Sequence, residues 1–242
     1  MVEDTFVEED IRPVYISVGV TDVGLRRKSN QDAFLERSDV GLWAVADGMG
    51  GHRDGDVASR MVCEALAQVG CAATLEAMID AIRDSLSEVN RQLYSAAVRP
   101  ENPVFSGSTV ALFLACRTAC AILWAGDSRV YRLRHGCLTQ LTTDHTWAAE
   151  LNLQNAGTEA DHAITRAVGG EASLVLDLHR DRVRAGDRYL LCSDGLTHEV
   201  DDERIAALLS GADVAECARL LLEATLQAGA RDNVTVIVIE AA

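Results

Sequence analysis

The chain has 242 residues, 48% of them hydrophobic, enough for one large core or at most two small domains. Its 22 basic and 37 acidic residues leave a net charge of −15, a surface that repels nucleic acid and anionic lipid. No apolar stretch approaches the roughly 20 residues of a membrane span, and the acidic start, MVEDTFVEED, lacks the basic and apolar regions of a secretory signal, so a cytoplasmic protein is expected.

Strand signals come first, at 14–22, 33–38 and 41–47. A helical block follows, 56–70 and then 74–98. The second helix carries Leu75, Met78, Ile79, Ile82, Leu86, Val89 and Leu93 at spacings of three and four, a wide apolar stripe. Residues 108–142 read as tight antiparallel hairpins, with Gly136 at one reversal. Residues 145–165 are polar and irregular, with a short helix starting at Trp147. The chain then runs through a strand at 187–194, helices at 201–211 and 212–229, and an alternating β-branched strand at 233–241. Strands and helices segregated in this order argue for an α+β fold of two stacked, mostly antiparallel sheets flanked by helices. With three prolines, no linker-like stretch and no repeat, the expected organisation is an acidic segment at 1–12 and one domain at 13–242. The seven cysteines, odd in number and without a CxxC, read as reduced and buried small hydrophobes.

Four aspartates punctuate the strands. Asp47 follows GLWAVA and precedes a glycine-rich turn in "VADGMGGH"; Asp127 follows AILWAG; Asp194 follows RYLLCS; Asp232 precedes NVTVIVI. In antiparallel sheets a strand's end lies beside its neighbour's start, so all four are expected at one rim. Crowded carboxylates raise each other's pKa and destabilise a fold, unless a hard divalent cation takes the oxygens as ligands. Asp is also an ordinary turn residue, and each of the four alone reads equally well as a turn cap.

Eight motifs in order now carry a resemblance: TDVGLRRKSNQD (21–32), VADGMGGH (45–52), GST (107–109), AGDSRVY (125–131), LTTDH (141–145), TRAVGG (165–170), GDRYLLCSDGL (186–196) and RDNVTVIV (231–238). Together they resemble the bacterial metal-dependent serine/threonine phosphatases of the PPM, or protein phosphatase 2C-like, family. The resemblance implies helix pairs on both outer faces of the sheet sandwich. It implies hydrolysis of phosphoserine and phosphothreonine by in-line attack of a hydroxide bridging two Mn²⁺ or Mg²⁺ ions. By position, Asp47 resembles the acid bridging both metals, the Gly48 carbonyl a ligand of the second, and Asp194 and Asp232 ligands of the first. Asp127 and Asp194 resemble the pair holding a third ion in bacterial members. Arg27 aligns with the arginine that grips the substrate phosphate; its neighbours Arg26 and Lys28 leave the assignment open by one position. Asn30, Gln31, Asp32 and Asn233 stand behind these ligands.

Some relatives place a histidine, proposed as general acid, where this chain has Met49. His52 is the nearest substitute and reads equally as a loop histidine. Gln31 stands where some members carry Glu. Asp22 and Asp144 read as turn-stabilising acids. Residues 146–164 occupy the place of a flap beside the active site, shorter than in relatives and the expected seat of substrate preference. The implied partners are a phosphorylated protein substrate and an opposing Ser/Thr kinase, with no nucleic acid or membrane and a monomeric chain. A type VI secretion setting is the favoured subgroup. The readings that compete are a non-catalytic phosphoprotein-binding relative and a hydrolase of small phosphate esters.

Overall fold

The computed structural model describes residues 14–50, 54–99, 106–151, 163–211 and 213–242. The acidic segment at 1–12, His52 and most of the flap, 152–162, lie outside them. Among the described residues eleven strands pair into two sheets, every pair antiparallel. One sheet is ordered β1 (Tyr15–Asp22), β11 (Val234–Ala241), β10 (Arg188–Cys192), β7 (Arg129–Arg134), β8 (Cys137–Gln140). The other is ordered β2 (Asp32–Arg37), β3 (Leu42–Gly50), β5 (Val110–Cys116), β6 (Ala119–Ala125), β9 (Asp177–Arg182), with β4 (Ser106–Ser108) added to the end of β3.

The core is layered as this architecture demands. Between the sheets lie Trp43, Phe113, Ile122, Tyr189, Ile237 and Ile239. Phe113 and Tyr189 stack with ring centroids 4.2 Å apart, and the buried indole of Trp43 donates to Ser17 Oγ at 2.9 Å. Outside one sheet pack α1 (Gly55–Ala67) and α2 (Leu75–Ala97); a short α3 (Trp147–Glu150) follows β8; outside the other sheet pack α4 (Asp194–Thr197), α5 (Asp202–Leu209) and α6 (Val214–Ala228). Strands β3 and β5 are covered on both faces, which is why they read as unbroken apolar runs rather than alternating ones.

The stripe expected on α2 is the buried one from Met78 on: Met78, Ile79, Ile82, Leu86, Val89 and Leu93, joined by Asn90, while Leu75 at the helix start is only partly buried. Asn90 donates to the Glu171 carbonyl and accepts from the Gly169 amide, tying the 165–170 loop to the helix. Thr74 caps α2 by accepting from the Ala77 amide at 3.2 Å. A Thr74→Ala variant is expected to lose about 1 kcal/mol of unfolding free energy, read by urea denaturation.

Two local expectations are corrected, and one strand was not expected. Glycines after Asp47 were read as a turn, yet β3 continues through Gly50 and pairs with β4, Gly48 opposite Ser108. β9, with sequence DLHRDR, is a strand that its charged composition concealed. All seven cysteines are free, but Cys71 and Cys137 are exposed rather than buried.

Candidate metal centre

The four aspartates reach one rim from different elements. Asp47 lies in β3, directly opposite Asp32 of β2. Asp127 occupies the turn that carries the chain from β6 in one sheet to β7 in the other. Asp194 is the first residue of α4, immediately beyond β10. Asp232 precedes β11, whose Thr235 carbonyl accepts from the Ser193 amide, so the ends carrying Asp194 and Asp232 adjoin. The site therefore spans the open mouth between the two sheets.

Electrostatics show how closely these groups crowd. Burial, then Asp32, Asp194, Asp127 and Asp232, drive the Asp47 carboxyl well above the usual carboxylate range. Burial and then Asp194 push Asp127 up to about 8. Burial raises Asp194 too, against the opposing His198, and its carboxyl is within hydrogen-bonding reach of Asp47. Asp32 rises to about 6, chiefly through burial, although Ser193 Oγ and Thr235 Oγ1 both donate to its Oδ2, at 2.8 and 2.7 Å. That pair of bonds stitches β2 to the opposite sheet behind the site.

Positive charge within this site is supplied by Arg27, whose Nη2 lies 2.5 Å from Asp232 Oδ2. Among the described residues, no three His, Cys, Asp or Glu groups already stand in a coordination cage. The donor set nonetheless fits a hard cation. It is all oxygen, Asp127 is buried and Asp47, Asp194 and Asp232 are half-buried, and Asp32, Asp127 and Asp194 each keep one buried carboxylate oxygen without a hydrogen-bond partner. Such orphaned anionic oxygens are costly unless an ion satisfies them.

Backbone packing fixes the ligand-bearing segments. A Cβ on Gly48 would stand 2.0 Å from the Gly55 carbonyl oxygen, so glycine serves close approach here. Gly195, next to Asp194, is tighter still, its Cβ falling 1.9 Å from the Asn233 oxygen. Gly195→Ala is expected to lose about 3 kcal/mol of stability, since the obstacle is backbone and cannot rotate away; calorimetry would check it. Asn233 fastens the Arg27 loop: its Nδ2 donates to the Val23 and Ser29 carbonyls at 2.9 and 3.0 Å, and its Oδ1 accepts from the Gln31 amide. Asn30 Oδ1 accepts from the Asp32 amide in the same loop.

Asp22 stabilises its turn as expected, accepting from the Gly24 amide at 2.8 Å. Asp144 does something else. It grips the Arg129 guanidinium through three contacts of 2.7–3.0 Å across a cavity of about 360 Å³ beside Asp127 and Asp194. His198 lines this cavity with Nδ1 3.4 Å from Asp194 Oδ2. The sequence reading missed it, although it stands four residues after Asp194, one helical turn away. A larger cavity, about 570 Å³, lies among Trp147, Glu150, Thr165 and Arg166. It borders the described ends of the flap, where the Trp147 amide donates to the Ala163 carbonyl.

The family model for protein phosphatase 2C matches residues 26–231. The chain belongs to the protein phosphatase 2C family. Among curated proteins it is 39% identical over 230 residues to the serine/threonine protein phosphatase PstP of Mycobacterium tuberculosis, covering 90% of this chain but only 43% of that relative's length. Among solved structures it is similar to PppA, described as a key regulatory component of the type VI secretion system of Pseudomonas aeruginosa, with a TM-score of 0.90, 38% identity, and 96% and 99% of the two chains covered. It is also similar to the catalytic domain of PstP in complex with two manganese ions, with a TM-score of 0.83, 36% identity, and 94% and 98% covered. The protein phosphatase 2C fold is thus shared along nearly the whole described chain.

Proposed function

We propose that the chain is a metal-dependent protein serine/threonine phosphatase, and that Asp47, the Gly48 carbonyl, Asp194 and Asp232 hold two divalent cations, with Asp127 and Asp194 available to a third. The observation that carries this reading is the convergence of four buried-rim carboxylates and Arg27 in a chain of this family. The manganese pair in the PstP catalytic domain supports Mn²⁺ or Mg²⁺ as the ions. When bound, they supply the charge that activates water near neutral pH and neutralises phosphoryl oxygens.

The chain's own residues do the rest. The acids fix the place of positive charge, Asp47 from within β3 and the others from segments that adjoin strand ends. The Arg27 guanidinium, at the rim beside Asp232, has the planar fork that would take two phosphate oxygens. Asn233 holds the loop from which it reaches. His52, as the proton donor to the departing seryl or threonyl oxygen, stays a proposal from sequence, and His198 is placed to serve there instead. Free cysteines throughout fit a reducing, cytoplasmic setting, and the shared core between the sheets supports treating 13–242 as one domain. The likeness to PppA favours a place opposite a Ser/Thr kinase in type VI secretion control; a deletion strain whose secretion is unchanged would contradict that setting.

Purified protein assayed on a phosphothreonine peptide is expected to release phosphate with Mn²⁺, to stop with EDTA, and to lose at least about 100-fold in kcat as Asp194→Ala. Equal or greater kcat/KM on a small aryl phosphate than on any phosphopeptide would overturn the protein-substrate reading. Activity that survives EDTA would overturn the metal-dependent one.

A further inference from the structure

We propose that His145 is a positioning residue that holds the turn carrying Asp127, and through it the weakest-bound cation. The inference rests on reading Asp127 as a ligand of that ion. Asp127 sits in a two-sheet crossover turn with Oδ1 buried and lacking a hydrogen-bond partner. A carboxylate in a turn keeps its aim only if the turn is held, and the described residues show what holds this one.

His145 takes both main-chain polar groups of the preceding residue. The Gly126 amide donates to His145 Nδ1 at 3.1 Å, and the His145 amide donates to the Gly126 carbonyl at 2.9 Å. Gly126 has φ +109°, and a Cβ there would fall 2.6 Å from the Thr109 side chain, so the turn is pressed on its other side against the residue between β4 and β5. Beyond Asp127, the Ser128 and Thr109 hydroxyls bond at 2.7 Å, and Asp144 holds Arg129. The neighbouring pair Asp144 and His145 thus brackets Asp127 from both sides in sequence.

The ring is held on one nitrogen and on its face. Because an amide donates to Nδ1, the ring proton is on Nε2, which stands 3.3 Å from Asp177 Oδ2 of β9 without the alignment of a hydrogen bond. The other oxygen of Asp177 accepts from Arg166 Nη1 at 2.8 Å. On its face, the ring stacks on Trp124 with centroids 6.0 Å apart and planes 11° from parallel, and the Trp124 indole donates to the Thr143 carbonyl. A buried polar ring is costly without partners, and the hydrogen bond that Nδ1 accepts from the Gly126 amide connects this ring to the Asp127 turn. Groups of this kind behind a metal ligand are worth about 10–100-fold in metal affinity.

The test separates the Nδ1 contact from mere bulk. In His145→Asn the amide oxygen falls near the place of Nδ1 and still accepts from Gly126; in His145→Gln it falls near Nε2 and does not. Free Mn²⁺ is followed by electron paramagnetic resonance during titration of each folded variant, of Asp127→Ala and of the unaltered protein. His145→Gln is expected to weaken the weakest ion about tenfold or more, with the tighter ions unchanged. His145→Asn is expected to stay close to the unaltered protein, and Asp127→Ala to lose that ion. Should His145→Gln not fold, Asp177→Ala, which leaves Nδ1 in place but frees the ring, is expected to weaken the same ion. Asn and Gln variants that bind alike, or a loss spread equally over all ions, would overturn the positioning role. An Asp127→Ala protein that keeps every ion would instead overturn the reading of Asp127 itself.

Discussion

Asp47→Asn is expected to lower kcat/KM on a phosphothreonine peptide by about three orders of magnitude, because several kcal/mol of charge stabilisation are lost at about 1.4 kcal/mol per tenfold. The same substitution is expected to stabilise the metal-free protein by about 1–2 kcal/mol. Both effects have one cause. Asp47 is buried among Asp32, Asp194, Asp127 and Asp232, and an anionic carboxylate there is unfavourable until cations arrive. An amide of the same shape removes the repulsion and the ligand together. Steady-state kinetics with saturating Mn²⁺ and urea denaturation in EDTA read the two halves. A variant both inactive and less stable than the unaltered protein without metal would make Asp47 a structural group.

The second large effect is on pH. Without metal, stability is expected to fall as pH rises from 5 to 8, and the melting temperature to drop by on the order of 10 °C. Asp127 and Asp32 have folded-state pKa values raised to about 8 and about 6, above their unfolded values. Between the unfolded and folded values the native state binds more protons than the unfolded chain, so each step up in pH favours unfolding. Saturating Mn²⁺ or Mg²⁺ is expected to flatten or reverse the slope, since bound cations favour the ionised carboxylates and bind only the folded form. Differential scanning calorimetry in EDTA and in Mn²⁺, across the same buffers, measures it; a metal-free protein most stable at pH 8 would contradict the crowding.

Much of this was legible in the chain because the signals were local. The stripe on α2 showed in a period of three and four, and Met78 through Leu93 are buried as that period requires. The apolar runs of β3 and β5 showed as strands, and their cover on both faces emerged with the structure. The acids stood out because each interrupts an apolar strand, and antiparallel pairing then brings their ends together. What was hidden depended on contacts distant in sequence. β9 is an edge strand whose Asp and Arg residues guard an open sheet edge, so it carries no apolar pattern. The glycines after Asp47 suggested a turn, but Gly48 is small because the Gly55 backbone crosses it. Asp144 resembled a turn acid until Arg129 was seen against it, and the closeness of His198 to Asp194 emerged only once Asp194 was placed at the start of α4.

Crystals grown with Mn²⁺ and measured at the manganese absorption edge test the centre most directly. The account predicts two strong anomalous peaks enclosed by the carboxylates of Asp47, Asp194 and Asp232 and the Gly48 carbonyl, with Arg27 turned away from Asp232. Full occupancy of Mn²⁺ elsewhere, with Arg27 still paired to Asp232 and the carboxylates free of density, would contradict it.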